Sequence, residues 1–304
     1  MTGQDSAGGT EAIDARYRGL DTWASADILR ALWQAQAAAV AALEPALDAL
    51  GAAAGAMAAR LGANKTGRII YTGAGTSIRL AVQDGVELVP TFSWPRDRLA
   101  FLIAGGDPAL TRAVEGAEDD ATAGQKAVAD AGVGAGDVVV ALAASGTTRF
   151  TLYATMAARS AGALTVAIAN RPAAPLLAAA DHPILLETGA EAIAGSTRMK
   201  AGTAQRAALT LLSTLLMVRL NRVYDNLMVD VQATNAKLVT RAERLVRHIT
   251  GCDDETARSA LAACDGRVKP AVLIVDGATP MAANAAIATA NGSLRAARMA
   301  LRRM

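Results

Sequence analysis

From Arg68 onward the chain repeats one local pattern. Short apolar runs at Arg68 to Tyr71, Leu99 to Ala104, Asp137 to Ala143 and Ala163 to Ala169, with a shorter one at Pro183 to Leu186, end in Gly- and Ser-rich turns and pass into helical segments. Strands that are apolar throughout are covered on both faces, and strands separated by helices join in parallel. The pattern predicts an α/β fold, a doubly wound sheet of mainly parallel strands flanked by helices. Such a sheet binds ligands at the carboxyl ends of its strands. The turns that follow the strands are therefore where chemistry belongs.

Outside the repeat the texture changes. Ala26 to Leu61 is rich in Ala and Leu with few β-branched residues, which predicts helices, divided at Pro45 and Gly51. Residues 1–64 read as an arm and helices packed on the main domain, 65–228 as the sheet domain, and 229–304 as a long helix with a small helical subdomain. Within that last part VLIV, Val272 to Val275, is the one strand-like run. The apolar run Ala207 to Val218 is broken by Thr210, Ser213 and Thr214, so it reads as a buried core helix too short to cross a bilayer.

Composition removes several function classes. A net charge of +2 and an aromatic content of 3% leave neither a basic stripe nor a stacking platform for nucleic acid. The start, MTGQDSAGGTEAID, lacks the basic and apolar segments of a secretory leader, so a cytoplasmic location is expected. Cys252 and Cys264 form no C-x-x-C pair, and His182 and His248 form no H-E-x-x-H pattern, so neither a metal nor a disulfide is expected.

Three turns concentrate hydroxyls. In YTGAGTSIRL, Tyr71 to Leu80, Ile78 replaces the third glycine of a dinucleotide fingerprint and no Gly-Lys-Ser/Thr follows, so a phosphate or a sugar hydroxyl is the fitting ligand of Thr76 and Ser77 at a helix start. AASGTTRF, Ala143 to Phe150, repeats this with Ser145, Gly146, Thr147 and Thr148. It lacks both the G-x-S-x-G elbow and a nearby histidine, which argues against a serine hydrolase. In AGSTRMKAGT, Ala194 to Thr203, Ser196 and Thr197 precede Arg198 and Lys200, cations in a first helical turn where the macrodipole disfavours them unless an anion is also held. One such turn by itself reads more readily as a helix cap. Three of them make a pocket of donors with fixed positive charge, the composition of a sugar-phosphate site. Ser77, Ser145, Thr148 and the Ser196 to Arg198 segment are accordingly expected to converge at the carboxyl edge of the sheet.

Carboxylates supply the reactive groups. Glu87 in QDGVELVP has apolar neighbours, Val86 and Leu88, a setting in which a carboxylate is expected to work as a general acid or base. The competing reading is a surface glutamate at a helix end. Glu118 in VEGAEDDA stands among Glu115, Asp119 and Asp120, a cluster that by pattern alone reads as a solvated face or a cap.

Together these stretches are recognisable. YTGAGTS, IAGG (Ile103 to Gly106), AVEGAEDD (Ala113 to Asp120), AASG, GSTRMKAGTAQ (Gly195 to Gln205) and NLMVDVQATNAKL (Asn226 to Leu238) closely resemble the N-acetylmuramic acid 6-phosphate etherases, α/β proteins of the sugar-isomerase (SIS) type related to the glucokinase regulatory protein. The resemblance runs in order from near Thr10 to about Lys269. It implies cleavage of the D-lactyl ether of N-acetylmuramic acid 6-phosphate without metal or organic cofactor, in a homodimer. By the same resemblance Glu87 is the proton donor to the departing lactate, and Glu118 is the base or the group that orients the sugar.

The chain also departs from the family pattern. Ile78 and Ala81 stand where the family has glycine, Val86 and Leu88 replace both neighbours of Glu87, and in the second turn Thr147 replaces an arginine while Arg149 follows two positions later. Ile78 is expected to add bulk where a ligand would approach the backbone. These departures keep two alternatives open: another phosphosugar lyase or isomerase, and a non-catalytic phosphosugar sensor.

Overall fold

The computed structural model describes residues 9–231 and 236–303. Part of NLMVDVQATNAKL, at 232–235, lies outside the described residues. The chain forms two compact units, one of residues 1–85 and 97–213, the other of 86–96 and 214–304. The division therefore falls inside helices.

The first unit runs α1 (Ser25–Ala41), α2 (Leu47–Ala63), β1 (Ile69–Gly73), the start of α3 (Gly75–Phe92), β2 (Leu99–Ile103), α4 (Ala121–Asp130), β3 (Val138–Leu142), α5 (Arg149–Ser160), β4 (Leu164–Ala169), α6 (Pro175–Ala179), β5 (His182–Leu185) and most of α7 (Lys200–Arg219). All five strands pair in parallel, in the order β2-β1-β3-β4-β5. Register is set by apolar runs of matched length, with Ile69 opposite both Leu99 and Val138, and Val138 opposite Leu164. Every residue of β1, β3 and β4 is buried, as the unbroken apolar runs require. On one face Val128, Ala154 and Ala158 of α4 and α5 pack over Ile70, Leu102 and Val139. The small alanines let these helices sit close. The stretch Ser25–Ala63 is long and apolar enough to cross a membrane by length and composition. It is divided by a 3-10 turn at Glu44–Ala46, and α2 packs on β3, β4 and β5 through a buried face of Leu50, Ala53, Ala54, Met57 and Leu61.

The second unit contains the last turns of α3 and of α7, a hairpin of β6 (Val223–Tyr224) and β7 (Leu227–Met228), and helices α8 (Ala236–Thr250), α9 (Asp254–Ala262), α10 (Val268–Val275), α11 (Pro280–Thr289) and α12 (Leu294–Leu301). Val272 to Val275, strand-like in sequence, is the end of α10. A four-residue apolar run carries no period of its own. Here it is apolar because α10 is the central helix of a core shared with Val246, Ala260, Leu261, Ala283 and Leu294.

Candidate functional site

The strand order reverses direction between β1 and β3, so the loops that leave their carboxyl ends diverge to opposite faces and open a crevice. Those loops are the two hydroxyl-rich turns. Gly73, the last residue of β1, lies opposite Leu142, the last of β3. Thr76 and Ser77 follow on the first turn of α3, and Ser145 to Thr148 lead into α5.

Each turn is shaped by the sequence around it. In the second, the Thr147 amide and hydroxyl both donate to Ser145 Oγ, at 3.2 and 3.0 Å, so the Ser145 hydroxyl keeps its own proton free to donate. Gly146 has φ +66°, and a Cβ there would come within 2.3 Å of the Ala174 side chain, so only glycine fits the bend. Thr148 is the residue before α5, yet its hydroxyl makes no cap hydrogen bond. The hydroxyls of Thr76, Ser77 and Thr148 have no hydrogen-bond partner among the described residues, although Ser77 is nearly buried. The cap reading leaves these three unexplained.

The third segment reaches the same edge of the sheet. Gln205 on α7 donates to Asn170, just after β4, at 2.9 Å, and Lys200 Nζ donates to the Thr188 carbonyl, beyond β5, at 2.8 Å. A Cβ on Gly202 would lie 3.6 Å from Thr76 Cγ2, so the first turn of α7 sits against the first turn of α3. The structure thus brings the Thr76–Ser77, Ser145–Thr148 and Ser196–Lys200 segments to one edge.

The start of α7 differs from the sequence expectation. Arg198 precedes the helix, which begins at Lys200, and the first amides of α7 are already taken. Glu191, 1% exposed, accepts from the Lys200 and Ala201 amides, both at 2.9 Å, and the Gly202 amide donates to the Thr197 carbonyl. The anion demanded by cations at this helix start is the chain's own carboxylate. Lys200 is likewise buried and satisfied, and burial pushes its ammonium below its ordinary value while the Glu191 carboxylate opposes that shift. Lys200 is therefore placed inward, as part of the seal. Ser196 and Thr197 are partly exposed, and Arg198 is exposed with no carboxylate partner among the described residues. Glu191 was missed in the sequence because the cap bridges nine residues through a loop. The one available signal was the misfit of the cations themselves.

The carboxylate of Glu118 lies in a 3-10 turn, Ala117–Asp119, that packs on α5. The loop leading to it is held at the end of β2, where Gly105, at φ +79°, leaves no room for a Cβ beside Val114. Within the cluster the roles separate. Asp120 caps α4 by accepting from the Ala123 amide at 2.8 Å, whereas Glu115, Glu118 and Asp119 are exposed and have no ion-pair partner among the described residues. Glu87 is placed in the second unit, on the last turns of α3, and is exposed with Val86, while Leu88 is buried. Two expectations change as a result. Glu87 is not enclosed by its apolar neighbours, and Ile78 and Ala81 are fully buried, so their side chains fill the interior and not the ligand's path. Val86, Thr147 and Arg149 are the departures that face solvent. No group of three or more His, Cys, Asp or Glu suited to a metal occurs among the described residues.

Comparison with known proteins decides the family. Residues 53–157 match the glucokinase regulatory protein N-terminal SIS domain, and residues 120–215 match the SIS domain. The N-acetylmuramic acid 6-phosphate etherase of Deinococcus radiodurans is 53% identical over 266 residues, covering 88% of this chain and 87% of its own. The chain belongs to the N-acetylmuramic acid 6-phosphate etherase family. Etherases of Streptomyces coelicolor and Mycolicibacterium smegmatis, 42% and 43% identical, each cover 95% of the chain. These matches extend across both units.

Proposed function

We propose that this chain cleaves the D-lactyl ether of N-acetylmuramic acid 6-phosphate, giving N-acetylglucosamine 6-phosphate and D-lactate. The observation that carries the reading is the pair of hydroxyl-bearing loops at the β1/β3 crevice, open where capping would have closed them, in a carbon-oxygen lyase family whose members match nearly the whole chain.

The proposed route assigns each group a task. Ser77, Ser145, Thr148 and the amides at the starts of α3 and α5 hold the phosphate, since these donors have positive dipole ends behind them. Thr76, Gly146, Thr147, Ser196, Thr197 and Arg198 complete the binding surface. Lys200 contributes by holding the loop. With the sugar open as its aldehyde, Glu118 removes the proton at C2. The electron pair left behind then expels lactate from C3, and Glu87 protonates the leaving oxygen. Water adds to C3 of the unsaturated aldehyde, the proton returns to C2, and the product ring closes. No metal or organic cofactor enters this sequence.

Incubating the purified chain with N-acetylmuramic acid 6-phosphate and measuring D-lactate tests the activity. Glu87→Gln should keep phosphosugar affinity and lose lactate release by about a hundredfold or more, while still exchanging the C2 hydrogen of N-acetylglucosamine 6-phosphate with deuterium. Glu118→Gln should slow that exchange. Wild-type lactate release by Glu87→Gln would refute its assignment. We further propose a cytoplasmic homodimer. Leu29, Trp33 and Val40 expose one apolar stripe along α1, spaced at 4 and 7 residues, a surface suited to a second copy. A monomer mass by light scattering at micromolar concentration would contradict the dimer.

A further inference from the structure

The turn that carries Glu87 is weak by construction. Pro90 lies inside α3 and has no N–H, so the Val86 carbonyl loses the hydrogen bond that would close this turn. The helix then ends in a left-handed residue, Ser93 at φ +50°, an uncommon conformation for a residue with a Cβ. A proton donor on such a turn needs support from outside the helix, and the rest of its own unit, the second, supplies it.

Arg222, just after α7, donates through Nη1 to the carbonyls of Phe92 and Ser93, both at 3.2 Å, which answers two free acceptors at the end of α3 with a cation. Its guanidinium also lies over the ring of Trp94, 5.8 Å from the centroid. Trp94 is 2% exposed, and its amide reaches back to the Leu88 carbonyl at 3.2 Å. Asp230 sits behind Arg222 at 3.5 Å and accepts the Ser93 hydroxyl through its backbone carbonyl. Behind Asp230, Lys269 on α10 donates to its carboxylate at 2.7 Å and to the Asn221 carbonyl at 2.8 Å. This lysine is anchored in the helical core, where burial pushes its ammonium below the ordinary lysine value and Asp230 opposes that shift. The chain of contacts runs from the core of the C-terminal helices to the residues that follow Glu87.

We infer that the C-terminal helical unit is the mount of the proton donor, with Arg222 and Asp230 as positioning residues that hold the Glu87 turn through the carbonyls of Phe92 and Ser93. The inference rests on the reading of Glu87 as the acid. It gives the C-terminal helices a task in the reaction that does not require them to touch substrate.

The test separates positioning from stability and from the underlying reading. Arg222→Met, Arg222→Lys and Asp230→Asn are made in the full chain, alone and combined with Glu87→Gln, and each is assayed for D-lactate release from N-acetylmuramic acid 6-phosphate and for C2 hydrogen exchange of N-acetylglucosamine 6-phosphate in deuterated water. A misplaced acid costs on the order of tenfold to a hundredfold in kcat. Arg222→Met should show that loss in lactate release with KM within about threefold and exchange near wild type, and Arg222→Lys, which can still donate to the carbonyls, should recover most of it. In the Glu87→Gln background Arg222→Met should add no further loss, because the group it positions is gone. Equal loss of release and exchange, or a full further loss in the Glu87→Gln background, overturns the inference. Should Arg222→Met fail to fold, Asp230→Asn, nearly isosteric, carries the same expectation and the same overturning result. Failure of the underlying reading is separate, since it appears in Glu87→Gln alone as undiminished lactate release.

Discussion

Three helix starts on the carboxyl edge share one sequence signature and fall into two opposite states. At α3 and α5 the serines and threonines sit at or just before the first turn with hydroxyls that cap nothing. At α7 a similar run, Gly195-Ser196-Thr197-Arg198, leads into a turn whose amides are filled by Glu191 and by the Thr197 carbonyl. A filled start is structural, and an open one is available to a ligand. The difference is invisible in the local sequence, because it depends on a carboxylate delivered from beyond β5. It also explains why cations are tolerated at α7: Glu191 supplies the negative charge, so Lys200 can be buried beside it while Arg198 stays outside.

The strongest way to break this contrast is to unseal α7. Glu191→Ala removes a buried acceptor of two amides and the carboxylate that most opposes the cost of burying Lys200, a change expected to cost about 3 kcal/mol in chemical denaturation. Glu191→Gln keeps one acceptor oxygen and should cost about half as much. If the vacated start then behaves like α3 and α5, inorganic phosphate at millimolar concentration should restore part of the loss in Glu191→Ala and none in wild type. A loss below about 0.5 kcal/mol would mean that the seal is not what holds this segment.

The open starts give the converse experiment. Ser77→Ala and Thr148→Ala remove hydroxyls without a protein partner, so stability should stay within about 0.5 kcal/mol, where a true Thr cap would cost about 1. Affinity for the phosphosugar should fall instead, by on the order of tenfold for each lost hydrogen bond to a charged oxygen. Isothermal titration with N-acetylglucosamine 6-phosphate checks both values. A variant that loses stability and keeps affinity would place that residue with α7 and not with the open pair.

How much of this was legible follows from the range over which each feature is set. The five strands were readable because burial on both faces makes them apolar at every position, a local property that Val138-Val139-Val140 displays without context. Val272 to Val275 deceived for the same reason, since a helix buried all round is also apolar at every position. The hydroxyl loops were readable as a set, and their convergence followed from the parallel topology. Glu191, Arg222 and Asp230 were not readable. Each acts on a backbone group far away in sequence, and nothing local marks a glutamate, an arginine or an aspartate as a cap for another element's end. Exposure was equally hidden, and Glu87 and Ile78 show it: residues of one helix, the first was expected among apolar groups and is exposed, the second was expected at the ligand and is buried.

The smallest effect concerns another buried carboxylate, which sharpens what Glu191 does. Asp84 lies in the middle of α3, where no backbone amide is free to meet it. It faces the Tyr71 hydroxyl at 3.0 Å, the Ser213 hydroxyl at 3.2 Å and the Arg206 guanidinium at 3.2 Å. Burial raises its carboxyl above the ordinary aspartate range, and these three partners only partly offset that. A carboxyl raised in the folded state binds more protons there than in the unfolded chain, so its contribution is fully present below the ordinary value near 4 and is lost as pH rises through the folded value. Asp84→Asn keeps the side-chain shape and an acceptor for Tyr71 but carries no charge, so it abolishes that loss. Between pH 4 and pH 7 the stability difference should move in favour of the variant, by no more than about 1 kcal/mol, as read by urea denaturation at each pH. Movement in the other direction would mean that the Arg206 pair outweighs burial, and Asp84 would then belong with Glu191 as a carboxylate the fold prefers charged.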